Sequence, residues 1–412
     1  MDNDVNFNLP LSEVIIDDYW ATQKEYINLI ASSCYPYPKV MELQCIPLQT
    51  LPIEGLPENR YFPAYKCMDE IEIHSEQLIL NLFKDTNDYS ASIQPHSGTQ
   101  ANQIVYNAIL DENDIILSMG ANEGGHISHT RIAGKKATVI NYGLDNQGYI
   151  NYDEIDKLAR KYRPKLIISG ASSYSREINF PVLHQIAQKY NSLLMADICH
   201  TAVFIMADIH VNVFPYADFV TFTVDKNLRG PQGGIVVYNK KYHKEIRRSI
   251  FPVSQGGPIQ SMLIAKLALF EILNNNNGHL RIYANNLIEN SRAFSSFLIQ
   301  NGLEVVTGGT DTHFVLIDLT NIGVNGAEAE KILFDNKILV NKNLIPYDKN
   351  TPLKPSGIRI GITCVTNLDY NVEDIEILAN EISNIIIKKN INLSQQIIEG
   401  LIYKYQSTYF LS

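Results

Sequence analysis

The sequence has few cysteines and no pattern that would pair them. There are five in 412 residues, an odd number, with no CxxC spacing; they are Cys34, Cys45, Cys67, Cys199 and Cys364. This usage predicts free thiols in a reducing compartment and excludes a disulfide framework. No run approaches the roughly 20 apolar residues that a membrane helix needs, and the acidic, polar start "MDNDVNFNLPLSEV" does not resemble a signal peptide. We therefore expect a cytoplasmic protein that contacts no membrane.

Blocks of basic residues are also missing. The formal net charge is −10, and no Lys/Arg cluster offers the surface that nucleic-acid phosphates require. Small molecules are the expected partners, and no metal site is predicted. Apolar residues make up 45% and charged residues 19% of the chain, which is typical of a globular protein. A chain of this length exceeds one ordinary core and predicts two or three domains.

Short β-branched runs alternate with amphipathic segments through the first two thirds of the chain. The runs include "KATVINY", "PKLIISGAS", "NSLLMADICH", "ADFVTFTV" and "GGIVVYN". This alternation predicts an α/β layer with a largely parallel sheet, which binds ligands beyond the carboxyl ends of its strands. Two long helices with "NNNNGH" between them follow over residues 258–302, and then a smaller α+β region that begins with "THFVLIDL".

Several polar residues fall where predicted strands end. Ser172 follows "LIISGA", Asp197 and His200 follow "LLMA", and Lys226 follows "FVTFTV". Each residue alone fits a structural or surface role equally well. As a set they match the needs of a cofactor that is held by an amine: the amine itself, a carboxylate that keeps a pyridinium nitrogen protonated, and a phosphate site.

The candidate phosphate site is the helix start in "QPHSGTQANQIVYNAIL". Ser97, Gly98 and Thr99 open this helix, where free backbone N–H groups and the positive end of the helix dipole favour a phosphate. The alternative is a simple serine N-cap. A second glycine pair, Gly256 and Gly257 in "SQGGP", is suited either to close approach to a phosphate or to a turn.

Eight motifs resemble, in order and spacing, those of the serine hydroxymethyltransferase family, pyridoxal-phosphate enzymes of fold type I. They are "INLIASSCYPYPKVM", "PHSGTQAN", "GGHISHT", "ISGASSYSREINF", "ADICHTA", "KNLRGPQGG", "FPVSQGGP" and "SGIRIG". The resemblance runs from about residue 12 to the C-terminal helix. It implies a large domain with a mostly parallel seven-stranded sheet between helices and a smaller C-terminal α+β domain. The implied divisions are an N-terminal arm and substrate loop (1–62), a large cofactor-binding domain (63–278) and a small domain (279–412).

The resemblance also implies residues that hold the cofactor. Lys226 corresponds to the lysine that binds the cofactor covalently, Asp197 to the partner of the ring nitrogen, and His126 to the imidazole stacked on the ring. Ser172 and His200 correspond to partners of the phenolic oxygen. The phosphate would be held by Ser97, Gly98 and Thr99, with Gly257 from a second subunit, which implies a homodimer with shared active sites.

A further set corresponds to residues on the substrate side. Arg359 matches the residue that grips the substrate carboxylate, a task that suits a planar guanidinium, and Ser32 would assist it. Glu54 matches the carboxylate that exchanges a proton with the substrate hydroxyl and orients folate. The remaining correspondences are Thr223 near the cofactor and Tyr61 and Asn343 near the folate. Taken singly, Arg359 also fits an ion pair between domains, and Thr223 fits an ordinary strand residue.

Seven positions depart from the family pattern near the substrate. Pro52 and Phe62 stand where the family has tyrosines, and Pro63, Ala64 and Tyr65 replace its Gly-Gly-Cys. The histidine before the cofactor lysine is Asp225, and the first histidine of His-Gly-Gly-His is Glu123. Loss of a hydroxyl from a proton relay typically costs on the order of 10²-fold or more in rate. The alternatives are redirected specificity, or drift with Tyr65 or a water as a substitute.

The leading hypothesis is therefore a pyridoxal-phosphate transferase of amino-acid and one-carbon metabolism. It would interconvert a serine-like amino acid and glycine with tetrahydrofolate as the one-carbon acceptor. The first alternative is a folate-independent aldolase or transaldolase, or other Cα chemistry, on a β-hydroxy amino acid. The second is a homologue that binds the cofactor but no longer catalyses.

Overall fold

The structure is a computed structural model that describes residues 10–46, 52–63, 66–387 and 391–409. The helices are α1 (Pro10–Glu25), α2 (Pro38–Gln44), α3 (Lys66–Asn81), α4 (Gly98–Ile109), α5 (Tyr152–Tyr162), α6 (Phe180–Lys189), α7 (Ala202–Met206), α8 (His243–Arg248), α9 (Gln260–Asn275), α10 (Asn277–Gln300), α11 (Gly326–Asp335), α12 (Thr363–Asn367), α13 (Val372–Ile386) and α14 (Ile391–Tyr409). The strands are β1 (Ile27–Asn28), β2 (Gly55–Leu56), β3 (Asn59–Arg60), β4 (Tyr89–Ser92), β5 (Ile115–Met119), β6 (Thr138–Tyr142), β7 (Leu166–Ser169), β8 (Leu193–Asp197), β9 (Phe219–Thr223), β10 (Gly234–Asn239), β11 (Glu304–Val305), β12 (Phe314–Asp318), β13 (Ile338–Leu339), β14 (Asn341–Asn343) and β15 (Gly357–Gly361).

A seven-stranded sheet forms the centre of the larger part of the molecule. Its strand order is β4-β10-β9-β8-β7-β5-β6. The strands from β6 to β9 pair in parallel, and β10 pairs antiparallel with both β9 and β4. Only β10 therefore opposes the common direction, which confirms the predicted α/β fold with a mostly parallel sheet of seven strands.

The apolar runs of this sheet are continuous because both faces are covered. All four residues of β7 and the last four of β8 are buried, as expected for parallel strands packed between helices. The crossover helices begin at side-chain caps. Asn151 accepts from the backbone N–H of Glu154 at 3.0 Å, and Asn179 accepts from that of Val182 at 3.1 Å, so each helix starts at a defined residue and returns the chain to the amino edge of the sheet.

A second, antiparallel sheet lies in the C-terminal part, with the order β11-β12-β15-β14. Its core is formed with α10, α11, α13 and α14, and it also takes in Ile27 and Leu29 from the N-terminal segment. β1 pairs in parallel with β13, and the N–H of Leu29 donates to the carbonyl of Leu339 at 2.8 Å. This arrangement fits the predicted smaller α+β domain, while the predicted boundaries at residues 62 and 278 stay predictions. α10 contributes residues to both cores.

Within the described ranges, no helix has both the length and the apolar character that crossing a bilayer requires.

The N-terminal segment should stabilise the C-terminal core through Leu29. Its side chain is fully buried, so Leu29→Ala would leave a cavity and lower the free energy of unfolding by about 2–5 kcal/mol. The same substitution at Leu353, which is 77% exposed, should change it by less than about 0.5 kcal/mol. Urea unfolding of both variants measures this, and equal midpoints would contradict the packing role of Leu29.

Candidate functional site

Most of the residues expected to bind the cofactor line one cavity at the carboxyl edge of the large sheet. Asp197 and Thr223 are the last residues of β8 and β9, and Ser172 and Lys226 each lie three residues beyond a strand end. Because parallel strands end at the same edge, these side chains meet there. The cavity is lined by Ser97, Gly98, Thr99, Asn102, His126, Ala171, Ser172, Asp197, Cys199, His200, Thr223 and Lys226.

The helix start at Ser97 opens into this cavity. Ser97 has extended backbone angles and caps α4, since its Oγ accepts from the N–H of Gln100 at 3.1 Å. The next residue has to be glycine, because a Cβ on Gly98 would lie 2.7 Å from Thr223 Cγ2 and 3.1 Å from Cys199 Sγ. The arrangement leaves the first N–H groups of a 12-residue helix facing the cavity, a favourable place for an anion.

Asp197 is a buried carboxylate whose charge is fully supported by hydrogen bonds. Its Oδ2 lies 2.8 Å from both His129 Nε2 and Asn102 Nδ2, and its Oδ1 accepts from the N–H of Cys199 at 3.1 Å. Burial alone would raise the pKa of Asp197, but these hydrogen bonds and the nearby His129 outweigh it and hold the pKa well below its usual range. Asp197 is therefore ionised at neutral pH and suited to pair with a cationic ring nitrogen.

His126 faces the same cavity as a neutral ring. Its Nδ1 accepts from the N–H of Ser128 at 3.2 Å and lies 2.6 Å from that residue's Oγ. Burial lowers the pKa of His126 to about 4, although the carboxylate of Asp197 opposes the shift. An uncharged, flat imidazole fixed at Nδ1 is suited to stack on a planar cofactor.

His313 links His200 to the N-terminal segment. Its Nε2 lies 3.0 Å from the carbonyl of Ala31, which can only accept, so His313 carries a proton on Nε2, and its Nδ1 faces Asn227 Nδ2 at 3.3 Å. His200 Nδ1 is 3.3 Å from His313 Nε2, and His200 Nε2 is 3.2 Å from Lys226 Nζ. Burial keeps the pKa of His200 well below its usual value, so this ring is a neutral imidazole beside Lys226.

Arg359 reaches the cavity wall from the C-terminal sheet. It lies in β15, its Nη1 donates to the carbonyl of Ser172, and its Nε donates to Asn341 Oδ1 at 3.2 Å. Burial lowers the pKa of Arg359 to about 10, so it stays charged at neutral pH. Its hydrogen bonds to neutral oxygens position the guanidinium and leave its charge to be balanced by an anion.

Three of the expected residues lie together but outside the lining of this cavity. Glu54 precedes the β2–β3 hairpin, Tyr61 follows it with 72% exposure, and the N–H of Tyr61 donates to the carbonyl of Glu54 at 3.2 Å. Gly257 lies against the same segment, since a Cβ on it would stand 3.8 Å from the nitrogen of Ile53. Glu54 and Gly257 of one chain are therefore neighbours on a surface separate from the lining of its Lys226 cavity.

The other expected substrate residues flank the Arg359 strand. Asn343 is half-buried in β14, paired with Gly357, and its Nδ2 donates to the carbonyl of Leu344 at 2.7 Å. Ser32 is exposed in the turn that follows β1. The adjacent Ala31 packs on the backbone of Gly361, the residue two beyond Arg359. Both expected residues are thus near Arg359 in the fold but contribute nothing to the lining of the cavity.

The departures from the family pattern fall in three places: the Glu54 hairpin, the residue before Lys226 and the turn before His126. Pro52 is exposed and Phe62 is 42% exposed beside the Glu54 hairpin, while Ala64 and Tyr65 lie outside the described residues. Asp225 is half-buried, and its Oδ1 has no hydrogen-bond partner among the described residues. Burial raises the pKa of Asp225, against the effect of the Lys226 ammonium beside it. Burial likewise raises the pKa of Glu123, which ends a short helical turn three residues before His126.

The polar residues behind Asp197 and His200 were not predicted from the sequence. They are His129, Asn102, Thr221, Asn227 and His313. Thr221 Oγ1 donates to Asn102 Oδ1 at 2.6 Å, which turns the amide so that Nδ2 faces Asp197. The signal that could have found Asn102 and His129 is helical spacing, because each lies a few residues beyond an expected site residue.

The comparison with protein families agrees with the fold. A family model of serine hydroxymethyltransferase matches residues 10–382. The mixed seven-stranded sheet and C-terminal domain are those of a fold type I pyridoxal-phosphate enzyme. The chain belongs to the serine hydroxymethyltransferase family, whose members are transferases that use pyridoxal phosphate and tetrahydrofolate.

The residues of the cavity fit pyridoxal phosphate. The start of α4 offers N–H donors to a phosphate, Asp197 offers a carboxylate, and Lys226 offers a primary amine within the same lining. These groups together fit a ring that carries a phosphate and a basic nitrogen.

Thiol labelling should distinguish the buried cysteines, including Cys199 in the cavity lining, from the exposed ones. Burial raises the pKa of Cys199 and Cys364 well above the usual thiol value and that of Cys34 to about 12. Because only the thiolate reacts, iodoacetamide at pH 8 should modify the exposed Cys45 and Cys67 in the folded protein and leave the other three unmodified. Peptide mass spectrometry before and after unfolding measures this. Rapid modification of native Cys199 would contradict the buried environment beside Asp197.

Proposed function

We propose that the protein is a pyridoxal-phosphate-dependent hydroxymethyltransferase that converts a serine-like amino acid to glycine with tetrahydrofolate as the one-carbon acceptor. The observation that carries the proposal is the joint lining of one cavity by Lys226, Asp197 and the Ser97 helix start, with Arg359 at its wall. When bound, pyridoxal phosphate supplies an electron sink that stabilises negative charge at Cα while a bond to Cα breaks.

On the cofactor side, each residue has one task. The N–H groups at Ser97, Gly98 and Thr99 bind the phosphate, and Asp197 keeps the ring nitrogen protonated because its own charge is held by His129 and Asn102. His126 would pack on the ring as a neutral imidazole. Ser172 and His200 would hold the phenolic oxygen, and Lys226 would supply the amine that holds the cofactor.

On the substrate side, Arg359 would bind the carboxylate and so orient the amino acid in the cavity. Its guanidinium is held by Asn341 and the carbonyl of Ser172, two neutral partners that leave its charge to the substrate carboxylate. Ser32 and Asn343 lie on the segments beside it and are assigned to the substrate and the folate, respectively. An amino acid with a free carboxylate is therefore the substrate class.

Glu54 is assigned to the proton on the substrate hydroxyl, and it would act in the cavity of a second copy. In one chain Glu54 lies next to Gly257 and outside the lining of the Lys226 cavity. If Gly257 contacts the cofactor phosphate in the cavity of the partner chain, Glu54 and Tyr61 lie at that same cavity, because their segment is next to Gly257. We infer a homodimer with two composite sites, each with cofactor residues from one chain and the proton carrier from the other.

A folate-independent aldol cleavage of a β-hydroxy amino acid is the second candidate. It is favoured by Pro52 and Phe62, which lack a phenolic hydroxyl at the two positions where the family has tyrosines. Asp225 and Glu123 add carboxyl groups where the family has imidazoles. Such a site would keep the cofactor machinery and cleave its substrate without a one-carbon acceptor.

The purified holoenzyme should form glycine from L-serine only when tetrahydrofolate is present. The physical reason is that the formaldehyde unit released from Cβ needs a nucleophile to leave the site. Glycine is measured by chromatography with and without tetrahydrofolate, and β-hydroxy amino acids are screened in parallel. Glycine from a β-hydroxy amino acid at equal rates without folate would favour the aldolase, and no product from any of them would contradict both activities.

The matched control for this assay is Lys226→Ala. It removes the amine that binds the cofactor, so it should abolish the visible absorption of the lysine-bound cofactor and lower kcat by several orders of magnitude. An unchanged spectrum would refute the assignment of Lys226.

Arg359→Lys should weaken amino-acid binding. Lysine keeps the positive charge but loses the planar pair of donors that a carboxylate accepts, so kcat/KM for serine should fall by about 10²–10³-fold, mainly through KM. Arg292→Lys, a change of the same kind at an exposed arginine, should leave both constants unchanged. Steady-state kinetics measures this. An unaltered KM in Arg359→Lys would show that the carboxylate is bound elsewhere.

A further inference from the structure

Lys266 is a buried lysine outside the cavity lining, with no part in the chemistry proposed above. It lies in α9 and only 1% of it is exposed. Its Nζ donates to three main-chain carbonyls, those of Ile93 at 2.6 Å, Pro95 at 2.7 Å and Gly234 at 3.1 Å. A buried ammonium is costly unless its donors are all used, and here all three are.

Two of the three carbonyls belong to the segment that leads into the Ser97 helix start. Ile93 and Pro95 lie between β4 and α4, and Gly234 is the first residue of β10. The N–H of Gly234 also donates to the carbonyl of Pro95 at 2.9 Å. Lys266 thus connects the segment before α4 with the start of β10, at the point where these two backbones cross next to Ser97.

The packing at this crossing leaves no spare space. A Cβ on Gly234 would stand 2.2 Å from the carbonyl oxygen of Ser97, and one on Gly233 would stand 2.2 Å from Lys266 Cε. Since Ser97 is in contact with the backbone of Gly234, a shift of the crossing changes the direction of the N–H groups at the start of α4.

We propose that Lys266 is a positioning residue for the phosphate site, whose ammonium holds residues 93–97 and Gly234 so that the N–H groups at Ser97, Gly98 and Thr99 converge on one anion. The inference rests on the proposed function, because it assigns the phosphate of the cofactor to this helix start. Lys266 touches neither cofactor nor substrate and acts through the backbone alone.

The role requires the charged form of the lysine. An ammonium has three N–H donors for three carbonyls, whereas a neutral amine has two and turns its lone pair to the third. Burial lowers the pKa of Lys266 to about 7. The charges of Asp225 and Glu72 act in the opposite direction and only limit this shift. The third hydrogen bond is therefore present below about pH 7 and is lost as the pH rises through that value.

The test compares Lys266→Met with Lys157→Met, the same substitution at an exposed lysine of α5. Dissociation constants of the apoprotein for pyridoxal phosphate and for inorganic phosphate are measured by equilibrium dialysis at pH 6 and pH 8. Lys266→Met should bind both ligands at least about tenfold more weakly at pH 6, with KM for serine in the saturated holoenzyme unchanged. Lys157→Met should match the unaltered protein.

The pH series separates positioning from general stability. The ratio of the two dissociation constants, variant over unaltered protein, cancels the titration of the ligand, and it should shrink from pH 6 to pH 8 as Lys266 loses its proton. If Lys266→Met binds both ligands as tightly as the unaltered protein at both pH values, the inference is overturned and the proposed function stays intact. Failure of the unaltered protein to bind either ligand would instead overturn the proposed function.

Gly233→Ala provides a second variant in case Lys266→Met does not fold. It displaces the Lys266 side chain from its position and keeps the charge, so it should also weaken the binding of both phosphates. Circular dichroism and urea unfolding establish that each variant is folded. If folded Gly233→Ala binds pyridoxal phosphate and inorganic phosphate as tightly as the unaltered protein, the positioning role of Lys266 is contradicted.

Discussion

The buried carboxylate of Asp197 is the constraint around which the cavity is organised. The carboxylate is buried, and its charge is stabilised by hydrogen bonds with His129, Asn102 and the N–H of Cys199 in place of water. These three groups come from the segment after β5, from α4 and from the turn after β8. A single charge therefore fixes the relative positions of three elements, and Thr221 on β9 adds a fourth through the amide of Asn102.

The same burial that constrains Asp197 keeps the imidazoles of His126 and His313 neutral. Burial holds the pKa of His126 at about 4 and that of His313 at about 3. These two rings therefore add no positive charge to the site. The basic side chains at the cavity and its wall are Lys226 and Arg359, and the fixed anion is Asp197. A phosphate and a substrate carboxylate would bring the negative charge that this set lacks.

The sequence predicted the residues that belong to one strand end or one helix start. Asp197, Lys226 and Ser97 could be placed because each follows an apolar run or opens an amphipathic one. His313 could not, because it contacts His200 across 113 positions of sequence and depends on how the C-terminal sheet docks on the large one. Lys266 is the one lysine in the apolar segment that forms α9, and only the fold reveals that this helix contacts the segment before Ser97.

Glu54 shows a different limit of sequence reasoning. Its role was inferred from its motif, yet the fold of one chain places it beside Gly257 and outside the lining of the Lys226 cavity. The Arg60 side chain holds this hairpin from below, with hydrogen bonds to the carbonyl of Gly55 at 2.9 Å and to Glu72. Gln94 then joins Glu72 to Gln255, near Gly257, at 2.9 Å.

The buried polar path from Arg60 to Gln255 has a consequence for a shared site. It links the segment that carries Glu54 to the one that carries Gly257, and Gln255 is also 3.0 Å from Gln100 in the first turn of α4. The surface proposed to meet a second copy and the proposed phosphate site of the same chain are thus joined by one series of hydrogen bonds. Association of two chains would order both sites together, because neither the hairpin nor the helix start can shift without breaking hydrogen bonds that are buried or partly buried.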